Sequence, residues 1–245
     1  MMRLLVSVRD ASEAMDAAGA GADFIDLKDP AAGALGGLPP ARIVQIVGVL
    51  RARHPALPVS ATIGDLDYGC PIDAVLRRVA AVAACGVDYV KVGVGPGAAG
   101  GALIAALAHC NAAVVPVLLA DRGVNEALVQ AASNTGRFPA LMLDTADKSA
   151  GSLLDRLPLA LLAGFITTVR GAGALAGLAG ALRVDELQVL ARLAPDFAGF
   201  RSAVCAGSRS EVLRAERVLA LRRAVSLATA DPSGADATPD LCDAA

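Results

Sequence analysis

A chain of 245 residues with 55% apolar and 19% charged content can bury one large core, in the size range of a single α/β barrel. A net charge of −2, no basic block and an aromatic content of 3% without Trp exclude the charged and base-stacking surface of a nucleic-acid binder. Five cysteines, odd in number and without C-x-x-C spacing, point to a reducing, cytoplasmic compartment rather than a disulfide framework or a zinc site.

The N-terminus enters a short apolar strand (4–8) with no signal-type segment ahead of it, and no run of about 18 residues suits a bilayer span. A helix over 12–20 follows, then a strand over 24–28 and a Gly- and Pro-rich loop, DPAAGALGGLPP. Ile43, Ile46, Val47 and Leu50 have helical spacing, as do Ile72, Val75, Leu76 and Val79 beyond a strand over 59–63. A fourth strand is expected over 89–94, a helix over 102–109, a strand over 114–119 and a helix over 126–132. A sixth strand over 141–144 precedes one long apolar helix over 153–169. Short strands over 175–178 and 197–201 flank a helix over 185–194, and a last helix covers 211–227.

Eight apolar strands alternating with helices imply a parallel sheet covered on its outer side. The expected fold is a (β/α)8 TIM barrel over residues 1–228, with 229–245 as a structureless tail. An open, doubly wound sheet is the alternative. A faint repeat, GADFID at 21–26 and GVDYVK at 86–91, places Asp26 and Lys91 at equivalent positions of their strands.

Cation usage singles out a site. The chain has 19 Arg and only three Lys: Lys28, Lys91 and Lys148. Arg remains protonated, whereas a desolvated Lys can lose its proton and serve as an amine nucleophile or base. All three lysines fall on strands or just past their carboxyl ends, with Asp26 and Asp144 beside them and Asp65 after the third strand. In a barrel these groups converge on one mouth. A structural Asp26–Lys91 ion pair and solvated loop lysines are the plainer explanation, but three lysines out of three at strand ends favour catalysis. His54 and His109 lie on or beside helices, away from strand ends, so neither a histidine base nor a metal ligand is expected.

Phosphate, in barrels, commonly meets the loops after strands seven and eight. The candidate loops there are 177–183 and 201–209, with Gly180, Ala181, Arg201 and Ser202 among their residues and Ser7 and Asp65 counted in the substrate-binding set. Gly95 to Gly100 also matches G-x-G-x-x-G, with Asp121 where an acidic ribose ligand would stand. A dinucleotide site is therefore an alternative, although it would bury Lys91 inside its first strand.

Six segments carry a family resemblance: LLVSV (4–8), FIDLKDP (24–30), VSATIGD (59–65), DYVKVGV (88–94), LMLDTADKSAGSLLD (141–155) and FRSAVCAGSR (200–209). Together they resemble the (5-formylfuran-3-yl)methyl phosphate synthases of methanofuran biosynthesis. The resemblance implies a TIM barrel that condenses two molecules of glyceraldehyde 3-phosphate, with loss of phosphate and water and without metal or organic cofactor. It assigns the Schiff-base lysine to Lys28 and a proton-transfer lysine to Lys91, and puts Asp26, Asp144 and Lys148 in the active site. This chain has Gly180-Ala181 and Arg201-Ser202 where relatives are expected to have Gly-Ser and Arg-Gly. Another class I aldolase-like sugar-phosphate enzyme, or a barrel that only binds phosphates, remains an alternative. Homo-oligomerisation is left open.

Overall fold

The computed structural model describes residues 2–66 and 69–231. In chain order the first half comprises β1 (Arg3–Val8), α1 (Ala11–Gly19), β2 (Phe24–Leu27), α2 (Pro40–Arg53), β3 (Val59–Thr62), α3 (Ile72–Ala83), β4 (Tyr89–Val94) and α4 (Ala98–Leu107). The second half comprises β5 (Val114–Leu119), α5 (Glu126–Asn134), β6 (Ala140–Asp144), α6 (Leu153–Arg156), α7 (Leu159–Gly171), β7 (Leu175–Leu178), α8 (Leu187–Leu193), β8 (Phe197–Phe200) and α9 (Ala215–Ala230). All eight strands are parallel and pair in sequence order, and β8 closes the sheet on β1 through Arg3–Phe197 to Val6–Phe200. The fold is the expected TIM barrel, and closure removes the open-sheet alternative. No described helix is long and apolar enough to cross a membrane.

The internal repeat has a local cause. Asp23 accepts the backbone N–H of Leu4 at 2.7 Å, and Asp88 accepts that of Val59 at 2.7 Å. Each aspartate stands just ahead of its strand and ties it to the preceding one by taking an N–H at or next to that strand's first residue. Asp196, ahead of β8, does the same for Ala176 at 2.8 Å.

Four differences from the sequence expectation exceed two residues. The single helix over 153–169 is two, because Pro158 forces Leu157 into an extended conformation (φ −122°, ψ 135°). Helix α4 starts at Ala98 rather than 102, so the end of the glycine motif is helical. Helix α9 starts at Ala215 rather than 211, because Cys205 and Leu213 pair and draw the intervening residues into a closed loop. Thr229 and Ala230, assigned to the tail, belong to α9; residues 232–245 lie outside the described residues.

Strand alternation divides the apolar residues into two cores. Leu4, Ile25, Leu141 and Leu143 face the helices, against Ile43, Ile46 and Leu50 of α2 and their equivalents. Leu5, Phe24, Val115, Met142 and Phe197 fill the barrel itself. Phe24 and Phe197 meet at a ring-centroid distance of 5.6 Å, with the Arg3 guanidinium 4.9 Å from the Phe24 centroid. Gly177 makes this possible: a Cβ there would lie 2.2 Å from the Phe197 ring. Gly177→Ala should therefore destabilise the barrel by about 1–3 kcal/mol, the usual range for overpacking. Urea denaturation measures it, and an unchanged midpoint would show that the Phe197 ring yields freely.

Candidate active site

Asp26 lies on β2 and Lys28 directly after its last residue, where the Lys28 N–H continues the β1 ladder to the Val8 carbonyl at 3.0 Å. Both side chains therefore point into the barrel. Lys91 enters from β4 and Asp144 from β6, with Lys148 one helical-turn distance beyond Asp144 in sequence. The three lysines and two aspartates line one narrow cavity of about 30 Å³ at the carboxyl ends of the strands. Ser7 and the loop residues Gly180, Ala181, Arg201 and Ser202 line it too.

The charges are arranged as two pairs and a remainder. Lys91 Nζ lies 2.9 Å from Asp26 Oδ1, and the same carboxylate accepts Ser60 Oγ at 2.7 Å and Ser7 Oγ at 3.1 Å. Lys148 pairs with Asp144, which also accepts the Thr145 N–H at 2.8 Å. Burial alone would raise both carboxyl pKa values, but the combined pull of the neighbouring lysines and hydrogen bonds holds both below the ordinary carboxylate range. Lys28 is outside both pairs. Burial pushes its pKa down from 10.5 to about 8; the charges of Lys148 and Lys91 act the same way, against the opposing pull of Asp144 and Asp26. The arrangement supplies a partly neutral amine flanked by two Lys–Asp proton-exchange pairs.

In the loop after β7, Gly180 (φ +111°) and Ala181 (φ +48°) are both left-handed. A side chain tolerates that region poorly, so Ala181 is held there by its surroundings. Both residues line the lysine cavity. A contact to an anion through backbone N–H groups there would need no hydroxyl at 181. Gly180 also packs against Thr145, whose buried hydroxyl has no hydrogen-bond partner among the described residues.

Arg201 lines the cavity, but its guanidinium is fully occupied. It pairs with the buried Glu13 of α1 (Nη1–Oε2 2.5 Å, Nη2–Oε1 3.1 Å). It also donates to the carbonyls of Ser7 (3.1 Å), Arg209 (2.8 Å) and Glu211 (2.7 Å). These contacts use all five N–H groups, so what Arg201 does is hold the β8 loop on the barrel rim. Asp65 stands apart from the lysine cavity: its carboxylate accepts the Leu35 N–H at 3.0 Å and braces the β2–α2 loop.

Sequence reasoning missed three residues that shape this mouth, Glu13, Ser60 and Leu35, and included Arg209 only as the end of the candidate phosphate loop 201–209. Ser60 could have been found, since parallel pairing sets it beside Asp26. Glu13 and Leu35 carry no local signal, and act through contacts between distant segments.

The dinucleotide alternative loses its acidic ligand. Asp121 accepts the N–H groups of Ala146 (2.7 Å) and Asp147 (2.9 Å) and pairs with Arg156 (3.0 Å). Gly100 lies within α4, where a Cβ would fall 2.2 Å from the Gly95 carbonyl oxygen, so this glycine serves helix packing.

The 4-HFC-P synthase family profile matches residues 4–222. A Methylorubrum extorquens protein, provisionally named (5-formylfuran-3-yl)methyl phosphate synthase, is 42% identical over 217 residues, 88% of each chain. The (5-formylfuran-3-yl)methyl phosphate synthase of Archaeoglobus fulgidus is 33% identical over 244 residues, covering 91% of this chain and 99% of that one. Among solved structures, 3-hexulose-6-phosphate synthase from Salmonella typhimurium shares the fold, with a TM-score of 0.62 at 19% identity over 94% of this chain and 100% of that one.

The depressed pKa of Lys28 has two measurable consequences. Modification of Lys28 by an amine-selective reagent, followed by peptide mass spectrometry, should rise with pH through a midpoint of about 8. A midpoint near 10.5 would show that burial does not perturb it. Between these two values the unfolded chain binds the proton that the folded chain has released, so this group's contribution to stability grows as pH rises across that window.

Proposed function

Because the chain belongs to the 4-HFC-P synthase family, we propose that it is a lyase that condenses two molecules of glyceraldehyde 3-phosphate into (5-formylfuran-3-yl)methyl phosphate, for methanofuran biosynthesis. The observation that carries the mechanism is Lys28: a buried amine outside both ion pairs, with a pKa near 8. Its neutral form adds to the aldehyde carbon of one triose phosphate, and water leaves to give an iminium.

The iminium acidifies the adjacent carbon. Loss of that proton gives an enamine, whose electrons can expel phosphate from the next carbon along. The resulting electron-poor fragment and the second triose then supply the carbons of the ring. Overall, one phosphate and two waters leave, and the product retains the other phosphate. Lys91, held by Asp26, is the proposed proton-transfer group, exchanging protons with the reacting carbons and oxygens. Lys148 with Asp144 is a second such pair, and its charge also keeps Lys28 partly deprotonated. Ser7 positions the Asp26 carboxylate, and the backbone around Gly180, Ala181 and Ser202 is the proposed phosphate seat. Arg201 holds that seat in place through Glu13. No step here calls for a metal or an organic cofactor.

Borohydride trapping with glyceraldehyde 3-phosphate should label Lys28, read by peptide mass mapping. Adducts at Lys91 or Lys148 with Lys28 unmodified would reverse the assignment. The purified protein, given this substrate alone, should release one phosphate for every two trioses consumed and form an ultraviolet-absorbing aldehyde. A product that keeps both phosphates would instead indicate an ordinary aldolase. Lys91→Arg keeps the positive charge but cannot exchange a proton near neutrality. It should lower kcat by at least about a hundredfold with the circular dichroism spectrum retained; near wild-type turnover would leave position 91 a charge-supplying role only.

A further inference from the structure

Arg209 stands on a loop that the structure holds unusually firmly. The loop is closed at its base by the Cys205–Leu213 pairing and by the Ala206 N–H on the Val212 carbonyl at 3.0 Å. The Ser208 N–H donates to the Glu211 carboxylate at 3.0 Å. Arg201, itself neutralised by Glu13, grips the carbonyls of Arg209 and Glu211. The backbone around Arg209 is thereby fixed, and its half-buried side chain lines the lysine cavity.

Among the described residues the Arg209 guanidinium makes no ion pair; Asp144 and Asp65 attract it without touching it. Its side chain makes one hydrogen bond among the described residues, from Nη2 to the Gly33 carbonyl across the mouth at 3.0 Å. The two cavity carboxylates are engaged elsewhere, Asp26 with Lys91 and Asp144 with Lys148. A neutral carbonyl does not balance a desolvated cation, and four N–H groups of the fork remain for another acceptor. Backbone N–H groups such as those at Gly180 and Ala181 bring no formal charge to an anion. Arg201, the other guanidinium on the cavity, is committed to Glu13.

We propose that Arg209 recognises a phosphate monoester of the substrate, its fork taking phosphate oxygens in place of the Gly33 carbonyl; this rests on the triose-phosphate reading above. The planar fork matches two phosphate oxygens at once. Gly33 belongs to the β2–α2 loop, whose Leu35 also lines the cavity and closes it to about 30 Å³, room for roughly one water. That volume is smaller than a triose phosphate, so groups at the mouth must give way for substrate to enter. Exchanging the carbonyl for phosphate removes the tie between the two loops, so recognition and opening act through one hydrogen bond. Asp65 sets the starting position, because its carboxylate holds the Leu35 N–H and lies against the Gly33 Cα.

Glycerol 3-phosphate, which lacks the aldehyde, separates this inference from the chemistry at Lys28. Calorimetric affinity for it should fall at least about tenfold in Arg209→Met, the usual loss for a charge-assisted contact. Arg209→Lys, which keeps the charge without the fork, should fall between the two. Trapping of unphosphorylated glyceraldehyde on Lys28 should fall about tenfold less than the phosphorylated ligand's affinity, a selectivity that a purely structural role would not produce. Melting temperatures verify that each variant is folded, and Arg209→Lys decides if Arg209→Met is not. Equal affinities in all three proteins, no binding to wild type, or equal losses with and without phosphate would overturn the proposal. If wild type is trapped by neither aldehyde, the Schiff-base reading fails, while the glycerol 3-phosphate comparison still decides the role of Arg209.

Discussion

Three ammonium groups and two carboxylates cannot share a nearly dry cavity without leaving one cation unmatched. Burial penalises each charge, and a partner in contact offsets the penalty only for the group it touches. Asp26 answers Lys91 and Asp144 answers Lys148. Lys28 is left to relieve the imbalance by releasing its proton near pH 8. The reactivity proposed for this amine is thus a consequence of the whole cavity's charge balance. Each flanking pair is part of the field that deprotonates Lys28, besides the proton exchange proposed for it.

That field depends on low polarity above and below. Beneath the charged layer, Phe24 and Phe197 plug the barrel, and the absence of a side chain at Gly177 gives the Phe197 ring its place. Above it, Leu35 reaches over Gly93, where a Cβ would come within 2.8 Å of its Cδ1. Two glycines facing the barrel interior thus let large apolar side chains seal both ends of the cavity. Asp26, Lys28, Lys91 and Asp144 are all buried, and solvent screens interactions between buried charges less.

The Glu13–Arg201 pair organises the rim in the same economical way. Glu13 lies in the first turn of α1, where Asp10 caps the helix by accepting its N–H at 2.9 Å. Its carboxylate holds Arg201, the Arg9 N–H at 3.0 Å and the Leu213 N–H at 3.1 Å. One buried anion thereby joins the loops after β1 and β8 to the segment leading into α9. It also cancels the charge of Arg201, so that this cation does not add to the excess among the lysines.

Side-chain direction was legible from the chain itself. Strand parity alone sends Asp26 and Lys28 to one face, and the repeat sets Lys91 in phase with Asp26, because alternation is a property of each strand by itself. The same local logic located eight strands, and the proline that splits the helical stretch 153–169 stands in the sequence itself, at 158. Closure of β8 on β1 was decided only by the tertiary structure. So was the choice of which two lysines find carboxylates, and the withdrawal of Arg201 onto Glu13, 188 residues away. Asp65 reads in the sequence as a strand-end ligand and in the fold braces a loop, while Arg209, the last residue of a candidate phosphate loop, stands over the cavity. Periodicity reports which way a residue points within its own element. Partnership depends on which distant groups arrive at the same place, and that is set when the barrel closes.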